Sequence, residues 1–298
     1  MRISPIQNYQ YNQQVQNNNK SVAKPISKSM ATPSFEQIKP EYMFINTKGY
    51  AKDMDWAKTT VNIINDGKKL IQKDTKFFDL IEYVTNRYNA YYRSFGLFQG
   101  NQHFGARRFA VTGNRIVDKY APYKEKAKNF LESRTTGDFY RMHAYLPSQD
   151  KVVELTSVKK TNLGDDYSMY IEAPNITVID PVLEEVNSIY KSIKKETDQD
   201  KITNSVAQIH WLISQARPYT RGSAGVADML SKMIFEAKNI QVSEYKKDIN
   251  PNLEAFFMPM KEYCEKYSTF FAEPLKPIIE EVAEIQPKHH LGMFGILK

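Results

Sequence analysis

Apolar residues recur at three- and four-residue steps through much of the chain, which predicts amphipathic α-helices. The clearest case is 202–216, where Val206, Ile209, His210, Ile213 and Ala216 share one face. A second helix follows a short loop. The predicted helices span 53–65, 77–91, 116–132, 182–193, 202–216, 226–239, 253–271 and 274–285. The chain is therefore predicted to be mainly helical.

One region follows a period of two instead, which predicts strands. Segments 139–146 and 151–158 alternate across a turn at 148–150, so they predict a small β-hairpin, and 167–172 is a further possible strand. Alternation divides the first segment into two sets. One side carries Tyr140, Met142, Ala144 and Leu146, and the other carries Phe139, Arg141, His143 and Tyr145.

Composition shifts divide the chain into four predicted parts. Residues 1–40 are polar and rich in Asn, Gln, Ser and Lys, so they predict a disordered tail with too little apolar surface to offset the entropy of ordering. An N-terminal helical part follows at 41–134 and a core at 135–285. Residues 286–298 are predicted to be a flexible C-terminal tail.

The loop between the two central helices reads R-P-Y-T-R-G-S-A-G over 217–225. Pro218 ends the first helix, and Ser223 is predicted to cap the second. A glycine-bearing loop that opens a helix can hold an anion, because the first N–H groups lack partners and the helix dipole is positive there. The predicted anion-binding residues are Arg217, Tyr219, Arg221, Gly222, Ser223 and Gly225. The alternative is an ordinary connection whose arginines pair with carboxylates.

A glycine-rich segment at 94–115 contains aromatic residues, His103 and the pair Arg107–Arg108. It is either a second wall of the same site or an irregular connection that packs its aromatic side chains inward. Interleaved basic and aromatic residues also suit single-stranded nucleic acid, but one such segment does not predict that partner.

The helix–loop–helix is similar to the centre of the Fic/Doc (Fido) superfamily, whose motif reads H-P-F-x-D/E-G-N-G-R. Pro218 and Gly222 match two of the nine motif positions, and Tyr219 replaces the phenylalanine. This resemblance implies a Fido-like helical bundle over 135–285, with the hairpin as a flap that aligns a target segment. It also implies a nucleotide-like ligand and transfer of AMP or a related group to a protein hydroxyl.

The chain departs from that motif where the chemistry lies. Arg217 stands at the position of the catalytic histidine, and a guanidinium stays protonated and cannot act as a base. Arg221 stands at the position of the metal-binding acid, where it would repel Mg²⁺. His210 lies seven residues before Arg217, about 10 Å along a helix, and is more typical of a core histidine. Arg141, His143 and Tyr145 of the hairpin are the other candidates.

Three interpretations stay open. The protein binds a phosphate-bearing ligand and transfers part of it by altered chemistry, it is a catalytically inactive scaffold that acts through protein–protein contacts, or it is an unrelated helical protein with a structural loop. The first two predict an open cleft above Arg217, Arg221 and Ser223. The sequence assigns no catalytic residue and no magnesium site. The only cofactor it suggests is a possible nucleotide.

Charge and cysteine content narrow the partners. The net charge is +7, which favours anionic partners, but no Lys/Arg run is long enough to predict a polybasic arm. The one cysteine, Cys264, excludes an internal disulfide, and no metal-ligand spacing occurs. No stretch predicts a membrane span or a cleaved signal peptide. The expected location is cytoplasmic, or outside the cell as an exported effector.

Overall fold

A computed structural model describes residues 38–43, 53–94, 104–116, 121–163 and 166–278. The predicted C-terminal tail, 286–298, lies outside the described residues. So does the predicted N-terminal tail, 1–40, except for its last three residues. Ile38 is buried, so the core begins before residue 40. The helices are α1 Met54–Gln72, α2 Phe77–Ser94, α3 Ala121–Arg134, α4 Ile179–Ile193, α5 Gln199–Ala216, α6 Ser223–Ala237, α7 Pro251–Ala255 and α8 Met260–Lys266.

The described strands form two antiparallel sheets. The larger has the order β1-β4-β3-β2 and the smaller pairs β5 with β6. The strands are β1 Gly113–Arg115, β2 Phe139–Leu146, β3 Lys151–Leu163, β4 Asp166–Glu172, β5 Ile240–Gln241 and β6 Lys276–Pro277. The predicted hairpin is therefore half of a four-stranded sheet.

The mainly helical prediction with a small β element is confirmed, but two helix predictions are wrong. Segment 253–271 is divided into α7, α8 and a 3₁₀ turn at Tyr267–Phe270. Pro259 causes the break, because proline disfavours the helical conformation of the residue before it. Within the described part of 274–285, the chain forms β6 rather than a helix. None of the described helices is both long and apolar enough to cross a bilayer.

The sheet confirms the alternation predicted for β2. Met142, Ala144 and Leu146 are buried and Tyr140 is half-buried, whereas Phe139, His143 and Tyr145 are exposed. At the tip of the hairpin, Glu185 of α4 accepts hydrogen bonds from the backbone N–H and the hydroxyl of Ser148. The hairpin is thus held against α4.

Helix α5 is the centre of the core and is buried on nearly all sides between α4, α6, α7 and α8. Trp211 is fully buried, and its indole N–H donates to the carbonyl oxygen of Met258 at 3.0 Å. The amide of Gln215 donates to the carbonyl of Ala255 at 2.6 Å, and its oxygen accepts from Thr156 of β3. The last turn of α5 is therefore fixed to both the sheet and α7.

His210 is a core histidine, as its place on an apolar helix face suggested. Its Nδ1 lies 3.0 Å from both the Ser231 and Tyr267 hydroxyls. Its Nε2 is buried and has no hydrogen-bond partner in the described residues. Burial is the main cause that lowers the pKa of His210 to about 4; the negative charge of Asp228 acts in the opposite direction, and the positive charge of Lys232 adds to the lowering. The imidazole is therefore neutral in the folded protein.

We expect His210 to make folding acid-sensitive. A pKa lowered from 6.5 to about 4 means that the unfolded state binds the extra proton first. His210 has no such effect above pH 6.5. As the pH falls from 6.5 to about 4, it lowers the free energy of unfolding by an amount that grows to about 3 kcal/mol. Denaturant titrations at each pH should show that His210→Asn loses less stability on acidification than wild type. The exposed His143→Asn variant is the control, and equal pH slopes for all three proteins would contradict the expectation.

Candidate functional site

The loop between α5 and α6 is a tight reversal with two left-handed residues. Arg217 ends α5 with φ 46°, and its N–H bonds the Ile213 carbonyl at 3.0 Å. Gly222, with φ 92°, is the N-cap of α6. The predicted cap, Ser223, is instead the first helical residue. Its hydroxyl accepts from the Tyr219 N–H at 3.1 Å and donates to the Tyr219 carbonyl at 3.2 Å, so it closes the loop internally.

Segment 104–110 lies along the loop as its second wall. Backbone hydrogen bonds run from Arg108 N to Pro218 O at 2.9 Å and from Thr220 N to Ala106 O at 2.9 Å. A third runs from Gly105 N to Arg221 O at 3.1 Å. This wall continues into β1, and so connects the loop to the sheet.

Phe104 of this wall packs on Gly222. A Cβ atom at residue 222 would come within 2.1 Å of the Phe104 ring. The ring also packs on Tyr88 and stacks on Tyr92, with centroid distances of 4.3 and 5.5 Å. This face of the glycine is therefore filled by protein, and a ligand cannot approach the backbone from that side.

Arg108, which the sequence offered only as one of a basic pair, is a structural residue of the loop. It is 3% exposed and donates to the carbonyl oxygens of Arg217 at 2.9 Å, Ala216 at 3.2 Å and Ala110 at 2.8 Å. Two of these carbonyls belong to the end of α5, where the helix dipole is negative and favours a cation. Arg108 thus fixes the end of α5 from across the chain.

Arg217 is largely buried beneath the loop rather than open above it. Its guanidinium lies 3.4 Å from the Ile171 carbonyl of β4 and donates to it. Burial, and then the positive charge of Arg108, lower the pKa of Arg217 to about 10. Arg217 therefore supports the loop and adds positive charge from below. Arg107 pairs with Asp180 at the start of α4, as the structural interpretation of the arginines expects.

The solvent-facing part of the predicted site is smaller than the sequence suggested. Arg221 and Ala224 are exposed, and Gly225 is half-exposed, whereas Tyr219 and Ser223 are buried. Helix α6 has no side-chain cap and no acidic residue in its first turn, in contrast to α1 and α5. The positive end of α6 thus lies beside an exposed arginine, Arg221. In the described residues, no cluster of three or more His, Cys, Asp or Glu side chains could hold a metal.

The outward residues of β2 lie apart from the loop. Arg141 pairs with Glu154 of β3 at 2.8 Å, and its guanidinium lies 5.3 Å from the Phe139 ring centroid. The Tyr145 hydroxyl donates to Asp150 at 2.7 Å. Arg217 reaches β4, and β2 is two strands further across the sheet, or about 10 Å. The three possible flap residues therefore belong to an exposed sheet edge.

The similarity of this region to known proteins is with avirulence proteins. The AvrB_AvrC family model, described as "Avirulence protein", matches residues 139–274, from the start of β2 to just before β6. Avirulence protein B of Pseudomonas savastanoi pv. glycinea is 26% identical over 176 residues, which is 51% of this chain and 55% of that protein. The chain thus spans about half the length of the curated relative it matches.

These matches correct the identification with the Fic/Doc superfamily. The family whose model covers the α5–α6 loop is that of the avirulence proteins. The sequence resemblance rested on two matching positions in a short motif, whereas the family match extends over the sheet and the central helices. Over its second half, this chain is similar to avirulence proteins.

Proposed function

We propose that the N-terminus of α6 binds the phosphate group of a nucleotide-like ligand. The observation that carries this proposal is the uncapped first turn of α6, which lacks an acidic residue and has the exposed Arg221 beside it. Backbone N–H groups and the positive helix end attract an anion there. The guanidinium of Arg221 adds a planar pair of donors that matches phosphate oxygens.

The other arginines support this site from the protein side. Arg108 and Arg217 are fixed by backbone carbonyls under the loop, so they raise the positive potential without contacting the ligand. Gly222 has a conformational role, since Phe104 covers it. The proposal is one of binding, because guanidinium groups cannot accept a proton from a reacting hydroxyl.

We expect replacement of Arg221 by alanine to weaken the binding of ADP or inorganic pyrophosphate roughly tenfold, because one charge-assisted contact is lost. Calorimetry on the whole chain measures this directly. Arg221 is exposed, so its replacement leaves the fold intact, whereas Arg217→Ala would disturb the loop. Added salt should also weaken binding to wild type, because it screens exposed charges.

The matched control is Arg134→Ala, which removes another exposed arginine, in the last turn of α3. It should bind both ligands as wild type does. If wild type binds neither ligand, or if Arg221→Ala and Arg134→Ala lose affinity equally, the loop is not the anion site.

A second candidate function is the binding of a partner protein along β2. In the described sheet β2 has one neighbour, β3, so its other edge is available for an added strand. The solvent-facing side of the β2–β3 hairpin carries large exposed side chains: Phe139, Tyr145 and Val152 are 43%, 51% and 63% exposed. The similarity to avirulence proteins supports an exported effector that acts on such a partner.

We expect a photo-crosslinking amino acid at Tyr145 to capture a partner polypeptide, and one at the exposed Lys58 of α1 to capture none. In the purified complex, amide hydrogen exchange should slow in residues 139–146, because an added strand bonds the free edge. Equal crosslinking at both positions would contradict this role, as would unchanged exchange in β2.

A further inference from the structure

A cavity of about 550 Å³ lies at the beginning of α5, away from the α5–α6 loop. Its walls are the first two turns of α5, the end of α8 with the following 3₁₀ turn, and the extended segment 271–275. The volume is within the range of small-molecule sites. Because the cavity reaches Asn204 and the loop begins at Arg217, the two are about 20 Å apart along the axis of α5.

The lining of this cavity has an apolar part and a polar part. Accessible apolar surface in the lining comes from the exposed Ala272 and Pro274 and from the half-buried Cys264. Phe271 and Leu275 are 2% and 9% exposed, so both are fixed parts of the core rather than mobile surface residues. The hydrogen-bonding groups include the Asn204 side chain. A ligand that fits needs an apolar body and polar ends.

The charged residues of the lining are opposite in sign. Asp200 projects from the first turn of α5, and Lys246 comes from the connection after β5. Both are exposed, and within the described chain neither forms an ion pair with the other or with any further residue. One cavity thus offers a carboxylate and an ammonium group that form no ion pair within the described residues.

We propose that this cavity binds a zwitterionic molecule with an apolar body, of the size of an amino acid or a dipeptide. Its carboxylate meets Lys246, its ammonium group meets Asp200, and its side chain lies on Ala272, Pro274 and Cys264. A phosphate-bearing ligand fits less well, because Asp200 repels its charge. This site is independent of the anion site proposed at α6.

The test is calorimetry on the whole chain with L-phenylalanine, L-leucine and the dipeptide Phe-Leu, beside N-acetyl-L-phenylalanine and L-phenylalaninamide. We expect at least one zwitterion to bind with a dissociation constant of about 1 mM or lower. Blocking either charge of that zwitterion should weaken its binding roughly tenfold. Whether a free amino acid or the dipeptide binds better identifies which of the two the cavity takes.

Two exposed substitutions assign each charge to its partner. Lys246→Met should weaken L-phenylalanine roughly tenfold but leave the already weak binding of the amide unchanged. Asp200→Asn should weaken the binding of L-phenylalanine roughly tenfold and leave the already weak binding of the N-acetyl derivative unchanged. Lys261→Met, which removes an exposed lysine of α8 outside the cavity, is the control and should bind as wild type does.

The single cysteine gives an independent readout of position. Burial, and then the charge of Glu265, raise the pKa of Cys264 to about 12, so its alkylation by a neutral maleimide should be slow. Bound zwitterion should slow it further, roughly in proportion to occupancy. The proposal is overturned if no zwitterion saturates, if blocked and unblocked ligands bind equally, or if binding leaves the Cys264 alkylation rate unchanged.

Discussion

Replacing Gly222 by alanine is expected to destabilise the protein by about 4 kcal/mol, the largest effect of any small substitution in the loop. Residue 222 has φ 92°, a conformation in which a Cβ atom is strained. The added methyl group would also lie 2.1 Å from the Phe104 ring. That ring is held by Tyr88 and Tyr92, so it cannot move aside without loosening the wall of the loop.

Gly225→Ala is the matched control three residues further on. Its Cβ would meet Phe104 at 3.5 Å, an ordinary contact, and residue 225 lies within α6. Alanine should therefore stabilise the helix by about 0.5–1 kcal/mol. Urea denaturation of both variants gives the comparison.

A double variant tests the cause of the Gly222 effect. In a Phe104→Leu background the steric part should shrink, so Gly222→Ala should cost roughly 2 kcal/mol less than in wild type. Equal costs in the two backgrounds would show that backbone strain alone is responsible. Equal stability of Gly222→Ala and Gly225→Ala would contradict the packing described for the loop.

Arg108→Met is expected to destabilise the protein by roughly 4 kcal/mol. The substitution keeps most of the side-chain volume but leaves three carbonyl oxygens without their guanidinium donor, two of them at the end of α5. The carbonyls of Ala216 and Arg217 are buried or partly buried, so leaving them unsatisfied costs about 1–3 kcal/mol each, whereas the carbonyl of the exposed Ala110 can bond to water. Relief of the repulsion between Arg108 and Arg217 offsets part of that cost. Because α5 is central, thermal unfolding should remain a single transition at a lower midpoint.

Arg107→Met is the control for Arg108. Arg107 is exposed and pairs with an exposed carboxylate, Asp180, so its loss should cost less than about 1 kcal/mol. If both substitutions cost the same, the hydrogen bonds of Arg108 to the end of α5 do not stabilise the loop as the geometry indicates. The Arg108→Met variant should also show faster amide exchange at the end of α5 than elsewhere in that helix.

Local sequence patterns predicted an element well where the strand alternation or a single proline is enough to determine it. The faces of β2 followed from strict alternation, and the end of α5 followed from Pro218. The prediction of one helix over 253–271 was wrong because it counted apolar spacing and gave too little weight to Pro259. Strand β1 was missed because three residues, one of them glycine, carry no periodic signal and form a strand only beside β4.

The sequence by itself determined that two helices meet at a loop of glycines and arginines, because proline, glycine and apolar spacing act through the local backbone. Only the tertiary structure decided what each loop residue does. Segment 104–110 is distant in sequence, yet it fills the face of Gly222 and brings Arg108 to the end of α5. β4 provides the carbonyl that receives Arg217. Those roles depend on long-range contacts, which a local sequence pattern cannot predict. Only the folded chain therefore distinguishes the exposed Arg221 and the uncapped end of α6 from the structural arginines around them.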